Sequence, residues 1–227
     1  VGERCGIIQA PGEYLVSEVF TVRVLVLGAA GGTGSCLVRD ALARGHDVTA
    51  FLRRETPGLD RTARLRILIG NVLQAHSVEA AVRDHDAVIW AIGARATDSA
   101  KSLCSEGTKN VLWSMQIAGV RRFICESAFG VADSRRNGPY ATIVRIVLPT
   151  RVRDKEMQER RIFASSLDWV IVRPTILTNG PATGKYRVGT DLRVGLFPRI
   201  SRADVADFML QQIDDPTLHR QTVGITG

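Results

Sequence analysis

Short, almost uninterrupted aliphatic runs recur along this chain, each followed by a stretch in which apolar residues return every three or four positions. Val22–Leu27 (VRVLVL), Asp47–Leu52 (DVTAFL), Leu65–Ile69 (LRILI), Ala87–Ile92 (AVIWAI), Arg122–Glu126 (RFICE) and Trp169–Val172 have the length and β-branched content of buried strands. The helical periodicity falls between them, at Cys36–Ala43, Ser77–Arg83, Ser105–Ala118, Val152–Ala164 and Ala203–Ile213. Gly119 closes the third helix, and Asp214-Asp215-Pro216 ends the last. Thr222–Ile225 is expected to return to the sheet edge. Strand and helix alternating in this way imply right-handed crossovers and a parallel sheet with helices on both faces.

Two stretches carry no clear period. Residues 128–148 contain Gly130, Gly138 and Pro139, and residues 174–199 contain Asn179-Gly180-Pro181, Gly184, Gly189, Gly195 and Pro198. Both follow the carboxyl ends of late strands, where open α/β sheets bind ligands, so both are expected to be substrate loops, the second as a lid. The strand and helix pattern begins at residue 22, which leaves 1–21 as a flexible or loosely docked extension and 22–227 as one domain.

Composition narrows the function classes. The chain has 227 residues, 45% hydrophobic and 23% charged, a balance suited to one packed domain and unsuited to a disordered chain. No apolar run reaches the ~20 residues a spanning helix requires, so no membrane partner is expected. Cys5, Cys36, Cys104 and Cys125 lack metal-ligand spacing, and buried free thiols in a cytoplasmic protein without a metal are expected. The net charge of +7 attracts anions, but its arginine clusters fall on separate elements with no recognition-helix or aromatic-sheet signature. A small anionic ligand is expected rather than nucleic acid, in a monomer or small homo-oligomer.

The most informative segment is Val22–Gly34, VRVLVLGAAGGTG. A strand runs into glycines at 28, 31 and 34, and a helix follows. Glycine is needed where the chain turns sharply, where a diphosphate approaches main-chain N–H groups, and where helix packs on strand. Gly28, Ala30, Gly31, Gly32, Thr33 and Gly34 are therefore expected to cradle a dinucleotide in a single Rossmann-like doubly wound domain. At the end of the second strand, Arg53-Arg54 replaces the acidic residue that would bind a free ribose 2′-hydroxyl. Two guanidinium groups suit a 2′-phosphate, so NADP (as NADPH) is the expected cofactor.

Later strand tips supply the remaining candidates. Asn71 and Val72 are expected near the adenine, and Ile92, Gly93 and Arg95 near the diphosphate and nicotinamide ribose. Ser127, in Glu126-Ser127-Ala128-Phe129, offers a hydroxyl to the nicotinamide carboxamide or to a substrate carbonyl, and Phe129 offers a wall for the acceptor. No G-x-S-x-G elbow surrounds Ser127, which argues against a hydrolase. His46, His76, His85 and His219 lie away from these tips and offer no general base.

The glycine pattern, with Gly70-Asn71-Val72, Glu126-Ser127-Ala128, Thr183-Gly184-Lys185-Tyr186 and Leu167-Asp168-Trp169-Val170-Ile171-Val172-Arg173-Pro174, resembles the atypical short-chain dehydrogenase/reductases. Within them the chain looks most like the NAD(P)H-binding proteins related to biliverdin-IXβ reductase, or flavin reductase. The resemblance implies NADPH across the strand tips, Ser127 near the nicotinamide, Pro174 among the cofactor contacts, and a flavin or linear tetrapyrrole as acceptor. It also implies a Tyr four residues before a Lys. Lys155 falls in the lysine position, but Arg151 stands where the tyrosine would be. Tyrosine would donate a proton to a carbonyl oxygen, so alcohol–ketone chemistry loses its acid. Hydride transfer to a flavin or quinone needs no such acid, because solvent supplies protons. Thr175 stands where the biliverdin-IXβ reductase-like pattern has a histidine, which disfavours tetrapyrroles, and Arg173 is expected to be an ion-pair partner. The expected function is reduction of a small planar acceptor, with Ser127 and Lys155 as catalytic candidates; the alternative is a nonenzymatic NADP-binding sensor.

Overall fold

The computed structural model describes residues 21–56, 59, 62–93, 102–136 and 139–227. An eight-stranded sheet forms the centre, with strands β1 (Arg23–Leu27), β2 (Asp47–Leu52), β3 (Leu65–Ile69), β4 (Ala87–Trp90), β5 (Arg122–Glu126), β6 (Asp168–Pro174), β8 (Arg187–Gly189) and β10 (Gln221–Thr226). Their order is β3-β2-β1-β4-β5-β6-β10-β8, and every pairing is parallel except that of β10 with β8. Two short strands, β7 (Ile176–Thr178) and β9 (Arg199–Ser201), pair separately.

Strand alternation sorts the core into two layers. Val24, Val26, Ile89, Ile124, Val170 and Val172 face one side, where they meet α1 (Gly32–Ala43) and α6 (Arg202–Gln211). Leu25, Leu27, Val88, Trp90, Phe123 and Ile171 face the other, against α2 (Ala75–Val82), α3 (Leu103–Ala118) and α5 (Pro149–Phe163). Because both faces are covered, the strands are apolar at nearly every position. A one-residue slip of β1 would exchange its layers.

The connections position the site. From β1 the chain passes through α1 to β2 on one side, and from β3 through α2 to β4 on the other side of β1. The carboxyl ends of β1 and β4 therefore open a crevice, the place where such sheets bind ligands.

Four expectations need correction. Residues 128–148 are not a plain loop: a 3₁₀ turn (Ala132–Arg136) and α4 (Pro139–Val147) fill much of them. The β-branched run Thr142-Ile143-Val144 masked that helix, and Ile143, Ile146 and Val147 lie exposed on it rather than in the core. Residues 174–199 hold β7 and β8 and lead into β9. As a result β10 sits inside the sheet, between β6 and β8, instead of at its edge. Helix α1 begins at Gly32, four residues before the apolar period shows. The expected extension lies outside the described residues except for Thr21.

Candidate functional site

Two cavities meet over the crevice. One, about 600 Å³, is lined by Gly28, Ala30, Gly31, Leu52, Arg53, Arg54, Val72, Ile92 and Gly93 among others. The second, about 410 Å³, takes in Gly31, Gly32, Thr33, Ile92, Gly93, Glu126, Ser127, Arg151, Lys155 and Arg202. Gly31 and Ala91–Gly93 border both, so the two form one trough across the tips of β1, β2, β4 and β5. At an extended length a dinucleotide needs such a continuous run rather than one deep hole.

The glycine turn is built for close approach. Gly28 has φ +88°, and a Cβ there would lie 2.8 Å from the Ala91 carbonyl oxygen. The Gly31 N–H donates to the Gly28 carbonyl at 2.8 Å, closing the turn. At Gly34 an added Cβ would stand 2.1 Å from the Gly28 oxygen, so this residue sets the helix-to-strand spacing. Among the described residues no side chain caps the first turn of α1. Its amides and the positive end of its dipole remain available to an anion beside the trough. The cradle, the unclaimed amides and the paired arginines fit a nicotinamide dinucleotide.

Other expected contacts are distributed unevenly. Val72 lines the first cavity, but Asn71 does not: its Oδ1 accepts from Leu73 N at 3.0 Å and stabilises the turn after β3. Pro174 ends β6 away from both cavities, its carbonyl accepting from Phe129 N at 2.9 Å. Phe129 is buried against Ala141 and Val194 and forms no wall of the trough. Arg95 lies outside the described residues.

Ser127 and Lys155 do reach the second cavity, and both are already engaged. The Ser127 hydroxyl donates to Glu159 Oε1 at 2.5 Å. Glu159 is fully buried and takes a two-pronged contact from Arg173, at 3.0 and 2.6 Å. Arg173 also pairs with Asp133 at 2.6 Å, which makes it the ion-pair partner the sequence suggests. With its proton committed to Glu159, the serine faces the cavity as an acceptor.

Lys155 Nζ donates to the Glu126 carbonyl at 2.7 Å and the Ile92 carbonyl at 3.4 Å, bracing the ends of β5 and β4. Burial works against its ammonium, but the acidic groups around it, Glu126 and Glu159 among them, outweigh that, and its pKa lies above the ordinary lysine value. Lys155 is a fixed cation, not a base. Burial drives the Glu126 carboxyl upward, opposed by Lys155 and by the 3.1 Å hydrogen bond from Thr33 Oγ1. The Cys125 thiol is also pushed up by burial and is chemically quiet.

Sequence patterns passed over Arg202. Its side chain lies across the glycine turn, where a Cβ on Gly32 would meet its Cδ at 2.5 Å and its Nε at 2.7 Å. Nη1 donates to Asn179 Oδ1 at 2.6 Å, fastening the residues after β7 to the turn. One signal was available. Ser201-x-x-Asp204 is a capping pattern, with Ser201 Oγ accepting from Asp204 N at 2.9 Å, and it puts Arg202 at the first position of α6. Asp204 also accepts from Thr183 N and Gly184 N at 2.7 and 2.9 Å, so the Thr183-Gly184-Lys185 segment is anchored on α6.

A sequence model of proteins described as NAD(P)H-binding matches residues 28–216, from the glycine turn to the end of the last helix region. The chain belongs to the NAD(P)H-binding family. It shares the Rossmann-like fold and the character of the atypical short-chain dehydrogenase/reductases. Photosystem II assembly factor Ycf39 of Synechocystis is 26% identical over 91% of this chain but only 63% of its own length. The chain thus spans less than two thirds of that relative. The uncharacterized sugar epimerase YhfK of Bacillus subtilis is 28% identical over 90% of this chain and 94% of its own. Among solved structures, the anaerobilin reductase ChuY of Escherichia coli O157:H7 superposes with a TM-score of 0.76 at 26% identity, over 89% of this chain and 96% of ChuY. The chain is thus similar both to a protein described as a reductase and to one described as an epimerase. Among the described residues no helix is long and apolar enough to cross a membrane, and no His, Cys, Asp and Glu cluster could hold a metal.

Proposed function

We propose that this protein is an NADPH-dependent reductase that passes a hydride to a planar conjugated acceptor, a flavin or quinone, seated in the second cavity. The observation that carries the reading is the pair Arg151 and Lys155 on the cavity side of α5. A carbonyl reductase or epimerase needs an acid–base hydroxyl one turn before that lysine, and arginine does not release its proton near neutral pH. A conjugated acceptor delocalises the incoming electrons and takes its proton from water.

The nicotinamide, when bound, supplies the hydride. The chain's own residues bind and orient. Arg53 and Arg54 at the tip of β2 suit the ribose 2′-phosphate, the turn at Gly28–Gly32 and Arg202 suit the diphosphate, and Ser127, its proton held by Glu159, would accept from the carboxamide N–H. Val144, Leu148, Val152 and Leu177 present an apolar wall for the acceptor ring.

The test is absorbance at 340 nm with FMN, a quinone and dichlorophenolindophenol. NADPH oxidation with at least one acceptor is expected. Replacing Arg53 and Arg54 by Glu should raise the Michaelis constant for NADPH tenfold or more, about 1.4 kcal/mol, while that for NADH changes little. The commitment of Ser127 and Lys155 to internal hydrogen bonds favours a second reading, a nonenzymatic NADP-binding sensor. Micromolar NADPH binding without turnover on any acceptor decides for the sensor.

A further inference from the structure

Among the described residues, the charged groups around the second cavity are satisfied from within, with one exception. Lys155 is held by two backbone carbonyls, and Arg202 by Asn179 and the Leu177 carbonyl at 3.5 Å. Asp154 accepts from Cys104 N at 2.8 Å and Ser105 N at 2.9 Å, capping α3. Glu126 takes the Thr33 hydroxyl. Arg151 is half-buried, lines the cavity, and has no carboxylate within ion-pair distance among the described residues. It stands one turn before Lys155, so its guanidinium shares that helix face.

A guanidinium presented beside an apolar wall gives up hydration without a counterion to replace it. Its planar fork matches the two oxygens of a carboxylate or a phosphate. We propose that Arg151 is a specificity-determining residue that makes the second cavity a receptor for acceptors carrying an oxyanion, the apolar wall taking the ring and Arg151 the carboxylate or phosphate. The inference rests on the second cavity being the acceptor site. It assigns the position of the missing tyrosine to recognition rather than proton transfer.

Three flavins with the same ring system test it: lumiflavin, neutral at its side chain; 10-carboxymethylflavin, a carboxylate; and FMN, a phosphate. Their binding to protein saturated with NADP⁺ is read by quenching of flavin fluorescence, which requires no turnover. At low ionic strength at least one anionic flavin should bind about tenfold or more tightly than lumiflavin. The arm that shows it tells carboxylate from phosphate. In Arg151→Gln the anionic-to-neutral ratio should fall to within about twofold, and Arg151→Lys should keep part of the preference, since it keeps the charge. Equal affinities in the unaltered protein, a preference that survives Arg151→Gln, or no binding of any flavin overturns the proposal. Binding with the expected preference but without NADPH oxidation sinks the reductase reading alone.

Discussion

Replacing Gly34 with alanine sets two known effects against each other. An alanine inside a helix gains about 1 kcal/mol over glycine from propensity. Here, however, the new Cβ would lie 2.1 Å from the Gly28 oxygen, 2.7 Å from its carbonyl carbon and 2.9 Å from Ala29 Cα. All three are backbone atoms, so no rotamer change relieves the contact. Helix α1 must withdraw from β1 by about 1 Å, and β1 is held in register on both sides by β2 and β4. Overpacking of this kind costs about 1–3 kcal/mol, and a rigid backbone partner places it at or above the upper end. The net loss is then about 2 kcal/mol, or a fall of about 4–8 °C in Tm for a chain of this length. Because the Gly28 carbonyl also accepts from Gly31 N, the same shift should loosen NADPH binding about tenfold. Differential scanning calorimetry and NADPH fluorescence titration measure the two. Gly93→Ala is the control: its Cβ meets nothing within 4 Å, so Tm should hold while the methyl group intrudes on the trough. A Gly34→Ala protein that melts with the wild type would refute the claim that this glycine sets the spacing of helix and strand.

Arg173→Leu should cost about 3–5 kcal/mol of unfolding free energy in urea titration, because it strands the Glu159 carboxylate in the core; adding Glu159→Leu should recover part of the loss. Ser127→Ala should reduce kcat/KM with every acceptor, and unchanged kinetics would remove this serine from the site. Burial lowers the pKa of His46 and His85 below 6.5, so as pH falls through that value both bind fewer protons in the fold than in the unfolded chain. Stability is then full above the unfolded value and lost progressively as pH falls below about 6.5, a slope that His85→Gln should reduce in Tm measured against pH.

Much of this was legible in the sequence because it depends on local period. Every major strand was readable, since a strand covered on both faces must be apolar throughout. The glycine turn was equally readable, since the Gly34 clash with the Gly28 carbonyl arises within seven residues, although Gly28 also answers to the distant Ala91 carbonyl and Gly32 to Arg202. Part of what escaped depends on partners distant in sequence, and part on local detail that periodicity does not reveal. Glu159 reads as one more charge on a polar helix until Ser127 and Arg173 are seen beside it. Asn71 has the right chemistry for a cofactor contact, yet the Leu73 amide two residues on claims its oxygen. Helix α4 was missed because its exposed side is apolar, the reverse of the pattern by which surface helices are read.

Helix α5 carries a consequence for how such a chain can change over generations. In six consecutive positions it sends Asp154 to the start of α3, Lys155 to the strand tips, Gln158 to the Thr108 hydroxyl at 2.8 Å, and Glu159 to Ser127 and Arg173. A greasy helix can drift one residue at a time, because neighbouring methyl groups tolerate substitution and small shifts. Polar groups that each have a particular partner allow no such drift, and a helix rotated or slipped by one position would leave several of them unmatched at once. Viable change along this face must come in coordinated pairs, so α5 should be a slowly evolving stretch while Arg151, one turn earlier and answering to no carboxylate among the described residues, is left at liberty to follow the ligand.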